Sequence, residues 1–245
     1  MPYVCTIVGA GPGLGAALAR RFAAGGFRIA LIGRRREALD AVIRSMAGCS
    51  ESARGFPADA GRPESISAAF QDIGRWAGDS EVLIYNAAVL DPGNASTLSP
   101  ARFLADMSVN VGGALGAVSE VLPAMRRRRR GTIILTGGGL ALEPYPEWAS
   151  LAAGKAALRS FAIALHKEVA AEGVHVAVIA ICGIIETGSL FDPDRITEVY
   201  WSLHAQKKDN WQRELVYLPS GADPFYNDPR AIYRAVSLPI GRTPN

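Results

Sequence analysis

Along most of the chain, short apolar runs of strand length alternate with longer stretches of helical spacing, and few patterns restrict a fold as tightly. Tyr3–Val8, Phe27–Ile32, Ala53–Pro57, Glu81–Tyr85, Thr132–Thr136 and Val174–Ile181 read as strands, with Ala53–Pro57 the weakest. Helices are predicted over Gly13–Gly25, Arg35–Ala47, Pro63–Trp76, Pro100 to about Arg128, and Trp148–Ala171. Pro63 and Pro100 suit a first helical turn, and Ser99 suits the N-cap ahead of Pro100. Val174–Ile181 is nearly all apolar, as expected when both faces of a strand are covered. The alternation predicts an α/β fold: a doubly wound parallel sheet of Rossmann type with helices on both faces. Ligands of such sheets bind beyond the carboxyl ends of the strands.

After Gly183 the pattern loosens. A helix over Asp194–Gln206 and a short strand over Glu214–Tyr217 are expected, then an extended tail rich in Pro, Gly and Asn. With 245 residues and no linker, repeat or low-complexity block, the chain reads as a single domain, 1–245, with 188–245 a less regular substrate-loop and C-terminal region. A chain of this length builds a core without disulfide or metal staples. Its three cysteines, Cys5, Cys49 and Cys182, are scattered, which points to a reduced, cytoplasmic setting. No metal-ligand spacing is visible. Met1–Ala19 is uncharged, but Gly9, Gly11, Pro12, Gly13 and Gly15 argue against a signal or membrane segment. The net charge of +3 offers no polycation for nucleic acid.

The turn Val8-Gly9-Ala10-Gly11-Pro12-Gly13-Leu14-Gly15 joins the first strand to the first helix. Gly9 permits a sharp turn, Gly13 lets backbone approach a pyrophosphate, and Gly15 lets the helix pack close to the sheet. The helix start at Leu14 adds free N–H donors and a partial positive charge. A glycine-rich packing turn is the plainer alternative. The second strand ends in Gly33-Arg34-Arg35-Arg36. An acid there would bind a free 2′-hydroxyl; Arg34 instead suits a 2′-phosphate, which favours NADP(H) over NAD(H). A solvated basic helix start also accounts for these arginines.

From about Tyr3 to Thr187 the chain resembles the short-chain dehydrogenase/reductase family. Gly9, Gly13 and Gly15 match its glycine turn, and Asn86-Ala87-Ala88 resembles its Asn-Ala-Gly segment. Asp59 stands where the family sets an acid against adenine, and Asn110 where it has a catalytic-helix asparagine. Lys155-Ala156-Ala157-Leu158 resembles the segment opened by the catalytic lysine, with Pro146 at the family's distance before it. Cys182-Gly183-Ile184-Ile185-Glu186-Thr187 resembles the segment under the nicotinamide, with Cys182 replacing proline. The resemblance implies that Gly9, Gly13, Leu14, Gly15, Arg34, Asp59, Asn86, Lys155, Gly183, Ile185 and Thr187 bind the dinucleotide. It also implies a small carbonyl or alcohol substrate and a homodimer or homotetramer; the modest charge and the glycine-rich start point to no nucleic-acid or membrane partner.

The departure from the family carries more chemistry. The family places a proton-donating tyrosine four residues before the lysine, and a substrate-binding serine thirteen residues before the tyrosine. Here those positions are Leu151 and Gly138. Leucine has no proton to give and glycine has no hydroxyl, while Asn110 and Lys155 remain. The expected enzyme is therefore slow or inactive in the family's usual reaction. Two readings stay open: an oxidoreductase with another proton source, or a dinucleotide-binding protein without turnover, acting as a sensor or subunit partner. Tyr145, Ser150, Thr136, Glu143, Glu147 and His204 are the candidate substitute donors, none with supporting spacing. Arg126–Arg130 reads as a solvated helix end rather than an anion patch. His166 and His175 read as structural and unpartnered, and Trp201 and Trp211 as packing residues rather than pocket walls.

Overall fold

The computed structural model describes residues 3–46 and 48–222. β1 (Val4–Val8) leads through the glycine turn into α1 (Leu14–Ala24), and β2 (Arg28–Gly33) leads into α2 (Arg36–Arg44). Next come β3 (Ala53–Pro57), α3 (Pro63–Ala77) and β4 (Ser80–Tyr85). α4 (Pro100–Met107) and α5 (Gly113–Arg128) follow, joined by a π turn at Ser108–Gly112. The remaining elements are β5 (Gly131–Thr136), α6 (Ala149–Val169), β6 (Val174–Ile181), α7 (Pro193–His204) and β7 (Glu214–Tyr217). The extended tail expected after Tyr217 falls, from residue 223 onward, outside the described residues, as does Ala47.

All strands run parallel, in the order β3-β2-β1-β4-β5-β6-β7. The chain winds outward from β1 in one direction, returns to β1's other side at β4, and winds the other way. β1 and β4 are thus neighbours at the switch point, where loops leaving their carboxyl ends diverge and open a crevice.

Alternate side chains along each strand feed two cores. Val8, Ile32, Leu83 and Leu135 pack with residues of α3, α5 and α6, while Ile7, Leu31, Ile84 and Ile134 pack with residues of α1, α2 and α7. Both faces being covered, the central strands have no solvent side, which is why they read as apolar runs. Thr6 is the polar exception in β1; it is buried and hydrogen-bonded to the Ser80 hydroxyl at 2.6 Å, which meets its need for a partner.

The single helix predicted over Pro100–Arg128 is interrupted. Ser99 caps it as expected, accepting from the Arg102 N–H at 3.3 Å. At Ser108–Gly112 the ladder widens, and the Tyr85 hydroxyl donates to the Val109 carbonyl there. A side chain that claims a helical carbonyl opens the ladder locally. Nothing in residues 108–112 themselves signals this, because the intruding group comes from β4.

The region after Gly183 is more regular than its sequence suggests. α7 lies along α1, with Arg20 bound to Asp194 at 2.7 Å and Arg21 to Glu198 at 2.6 Å. β7 extends the sheet beyond β6. Trp201 packs edge-on to Phe22 at 5.4 Å, with the Arg21 guanidinium 4.1 Å from its ring centre, so it belongs to the core edge.

The histidines correct the sequence reading, for each has a partner. His166 Nδ1 pairs with the Val176 carbonyl at 2.8 Å, and His175 Nε2 with the Gln212 carbonyl at 2.9 Å. Trp211 stacks on His175 at 4.9 Å. His204 Nδ1 pairs with the Thr132 hydroxyl at 3.0 Å. The arginine run is largely ion-paired rather than merely solvated: Arg126 to Glu168 and Glu172, Arg127 and Arg128 to Asp79, and Arg130 to Glu81. Among the described residues no helix is long and apolar enough to cross a membrane.

Burial holds His204 down at about 4, and His175 nearby pushes the same way. A folded value below the unfolded one makes the neutral form part of the native state. That stability is present above the unfolded value of 6.5 and is lost as pH falls toward 4. Between pH 7 and pH 5 the thermal midpoint should therefore drop, His204 contributing roughly 2 kcal/mol. His204→Gln should reduce the drop; an identical pH profile for the variant would show that His204 is not responsible.

Candidate active site

The glycine turn is shaped by close backbone packing. Gly9 has φ +87°, and a Cβ there would lie 2.4 Å from the Ala87 nitrogen, so both its conformation and its space exclude a side chain. Its N–H and that of Ala10 both donate to the Ile32 carbonyl, at 2.9 and 3.0 Å. A Cβ on Gly15 would fall 2.9 Å from the Ala10 Cα. Gly13 differs: nothing lies within 4 Å of its Cβ position. α1 then begins at Leu14 without a side-chain cap; the Ala16 N–H is taken by the Gly11 carbonyl at 2.9 Å, which leaves those of Leu14 and Gly15 available. Open space, uncapped donors and a helix dipole together suit a pyrophosphate.

Groups suited to the adenosine end lie alongside. Arg34 follows β2, is exposed, and forms no hydrogen bond or ion pair among the described residues. Two residues on, Arg36 is engaged, bonding Asp40 at 3.1 Å. Asp59 follows β3, and one of its carboxylate oxygens accepts the Gly61 N–H at 2.9 Å. Asn86 follows β4 and donates its side-chain amide to the Gly9 carbonyl at 3.0 Å. That bond ties the two loops of the switch point together.

Lys155 is buried on α6 and donates its ammonium to the Thr136 carbonyl at 2.6 Å. Burial lowers its pKa to about 8. Leu151, one helical turn earlier, is buried too. Gly138 has extended backbone. A Cβ built on it would sit 3.8 Å from Lys155 Cγ, an ordinary contact, so a serine fits there and would stand beside the lysine stem. Asn110 lies in the π turn; its Oδ1 accepts the Val89 N–H at 2.8 Å, while its Nδ2 is buried without a partner among the described residues. An orphaned buried donor facing no protein acceptor is consistent with a site that takes a ligand or water.

Sequence reasoning missed Gly154. A Cβ there would lie 2.8 Å from the Asn110 Cβ and 3.0 Å from its Nδ2, so the glycine lets α6 close onto the asparagine. Its position beside Lys155 was the available signal. The Thr136 carbonyl was missed as well, since a backbone acceptor leaves no mark in a sequence.

The alternative donors separate cleanly. Thr136 turns its hydroxyl to Tyr200 at 2.8 Å, on the opposite face of the sheet from α6. His204 reaches Thr132, at the far end of β5. The Ser150 hydroxyl is buried without a hydrogen-bond partner among the described residues. Tyr145 is half-buried in the segment before α6, with Glu143 half-buried and Glu147 exposed nearby. Beyond β6, a Cβ on Gly183 would strike the Phe191 ring at 2.2 Å, so packing alone demands this glycine. Burial pushes the Cys182 thiol up to about 11, which keeps it protonated and unreactive. Ile185 and Thr187 lie on an exposed stretch.

A parallel sheet wound both ways from its first strand, with an uncapped helix start at the switch point, defines the Rossmann class. Residues 3–192 match the family described as short chain dehydrogenase. The chain is 32% identical over 204 residues to 2,3-dihydro-2,3-dihydroxybenzoate dehydrogenase of Bacillus subtilis, covering 83% of this chain and 74% of that protein. It is also 32% identical over 179 residues to inactive hydroxysteroid dehydrogenase-like protein 1 of Pongo abelii, 69% of this chain and 52% of that one. A metagenomic short-chain oxidoreductase solved in complex with NADP superposes with a TM-score of 0.80 at 28% identity, covering 89% of this chain and 97% of the other. The chain belongs to the short-chain dehydrogenase family.

The buried ammonium has a cost that can be measured. Its folded pKa of about 8 lies below the ordinary lysine value of 10.5. Below pH 8 both states carry the proton and the native state bears the full desolvation penalty, on the order of 3 kcal/mol. Above that pH the unfolded chain holds more protons, so stability rises until both states are neutral. Lys155→Met should raise the thermal midpoint at pH 7, and the gain should shrink toward pH 10. A destabilised variant at pH 7 would refute a net penalty.

Proposed function

We propose that the protein is an NADP(H)-binding oxidoreductase of the short-chain dehydrogenase type, acting on a carbonyl or alcohol substrate and slow in the usual reaction. The observation that carries this reading is the pairing on α6 of a buried ammonium, Lys155, with a buried hydrocarbon, Leu151, one turn before it.

The chemistry that a nicotinamide dinucleotide brings when bound is hydride transfer. The chain's own residues bind and orient. Gly9, Gly13, Leu14 and Gly15 would hold the pyrophosphate, and Asp59 the adenine. Asn86 secures the loop beside them. Arg34 would take the 2′-phosphate, for which its exposure and its lack of a partner among the described residues leave it available. Gly183, Ile185 and Thr187 would border the nicotinamide. Lys155 spends one of its donors on the Thr136 carbonyl, leaving two for ribose hydroxyls. Asn110 holds the π turn against the Val89 loop through its carbonyl oxygen and keeps its amide donor free.

What is lacking is a proton at the substrate oxygen. Neither Leu151 nor Gly138 bears one, so it must come from water, from a substrate group or from Tyr145. Positioned acid–base groups contribute about 10²–10⁴ in rate, and a donor to the developing oxyanion adds to that. Dinucleotide binding does not depend on either missing side chain. A cytoplasmic homodimer or homotetramer accords with the reading. Its alternative, a dinucleotide-binding sensor or subunit partner without turnover, rests on the same two missing groups and on nothing further.

Leu151→Tyr combined with Gly138→Ser should raise NADPH-dependent carbonyl reduction by about 10²–10⁴, measured across a panel of simple ketones and aldehydes. A double variant no faster than the parent would reject the account of the defect. NADPH should bind more tightly than NADH, and Arg34→Asp should abolish the difference. Equal affinities in the unsubstituted protein, measured by calorimetry, would remove Arg34 from the site.

A further inference from the structure

We propose that the protein carries a second anion site, for a small phosphate-bearing molecule, at the amino-terminal edge of the sheet. A cavity of about 320 Å³ lies there, lined among others by Arg129, Arg130, Thr132, His204, Lys208 and Trp211. That volume suits a small organic anion better than a bare ion. The cavity shares no residue with the glycine turn, which lies at the opposite edge, so the site is independent of the oxidoreductase reading.

The charge arrangement carries the inference. Four of the five consecutive arginines are matched by carboxylates. Arg129 is not. It donates to the Ala171 carbonyl at 3.0 Å, and Lys208 donates to that same oxygen at 3.5 Å. Neither cation forms an ion pair among the described residues. Two positive groups therefore converge on one neutral acceptor and repel each other, and a dianion between them would relieve that repulsion. Ala171 lies in the turn that ends α6, so the helix C-terminus draws both cations to it, and both also line the cavity, where no carboxylate is left over to pair with them. Glu81, the carboxylate lining the cavity, is already held by Arg130 at 2.6 Å.

The site is also rigid. Arg129 is the one non-glycine residue with positive φ among those described, at 51°. It caps α5 in the left-handed conformation usually given to glycine. Its carbonyl oxygen would lie 2.2 Å from a Cβ on Gly173, so the turn is clamped against the turn before β6. Trp211 presents a fixed aromatic wall, stacked on His175 at an interplanar angle of 4° and donating its indole N–H to the Gln206 carbonyl at 3.0 Å. Cations beside a packed aromatic wall suit an aryl or nucleoside phosphate monoester.

The test titrates the whole protein with phenyl phosphate and with inorganic phosphate, following the Trp211 indole N–H resonance, assigned through Trp211→Phe. Arg129→Gly removes the charge while placing the favoured residue in the left-handed cap, so the variant should fold at least as well as the parent. The resonance should shift saturably, with phenyl phosphate the tighter ligand. Arg129→Gly and Lys208→Gln should each weaken binding about tenfold or more, and Arg34→Asp should leave it unchanged. No shift up to about 10 mM ligand, equal affinity in Arg129→Gly, or loss of the shift in Arg34→Asp would overturn the proposal.

Discussion

Two loops meet at backbone distance where the sheet reverses its winding, and much of the molecule follows from that contact. Gly9 presses against the Ala87 backbone with no room for a methyl group, and Asn86 returns a hydrogen bond to the Gly9 carbonyl. A larger residue at Gly9 would force β1 and β4 apart at their carboxyl ends. The crevice beside α1 would lose its shape, and the donors of the helix start would lose their aim. Close approach here also fixes where β4 ends, and through Tyr85 it reaches the π turn that carries Asn110.

A second constraint runs against stability. Few residues are as costly to bury as a lysine without a carboxylate. Among the described residues Lys155 has only a backbone carbonyl, from Thr136, as its partner. Structural reasons for such a group are scarce, since a methionine would fill the same space without the desolvation penalty. Perturbed ionisable groups of this kind cluster at binding and reaction sites. The neighbouring hydrocarbon at Leu151 makes the arrangement asymmetric: what remains can hold a ligand, while the proton-bearing part is gone.

The far edge of the sheet shows how tertiary contacts redistribute charge. Five adjacent arginines would repel one another in an isolated helix. In the fold, partners for four of them arrive from residues 79–81 and from the end of α6, tens of residues away in sequence. The pairing decides which cation is left over, and the answer is the residue whose backbone is in the least comfortable conformation.

Strand positions, most helix positions and the glycine turn were legible in the sequence because they rest on local rules. Strand periodicity, proline at helix starts and glycine in a strand-to-helix turn each act within a few residues. Leu151 and Gly138 were legible for a different reason, since the resemblance to the family marks both positions by their spacing from Lys155. The π turn at Asn110 was not, because Tyr85 from another strand opens it. Gly154 and the Thr136 carbonyl were hidden because their meaning depends on what lies across the helix. Pairing of the histidines and arginines was hidden likewise, for hydrogen bonds between distant segments have no sequence period. By itself, then, the chain determined a two-faced parallel sheet and the chemistry present or absent along its elements. Only the tertiary structure decided which donors are occupied, which are orphaned and which cations stand unpaired, because those depend on distances between segments that only folding brings together.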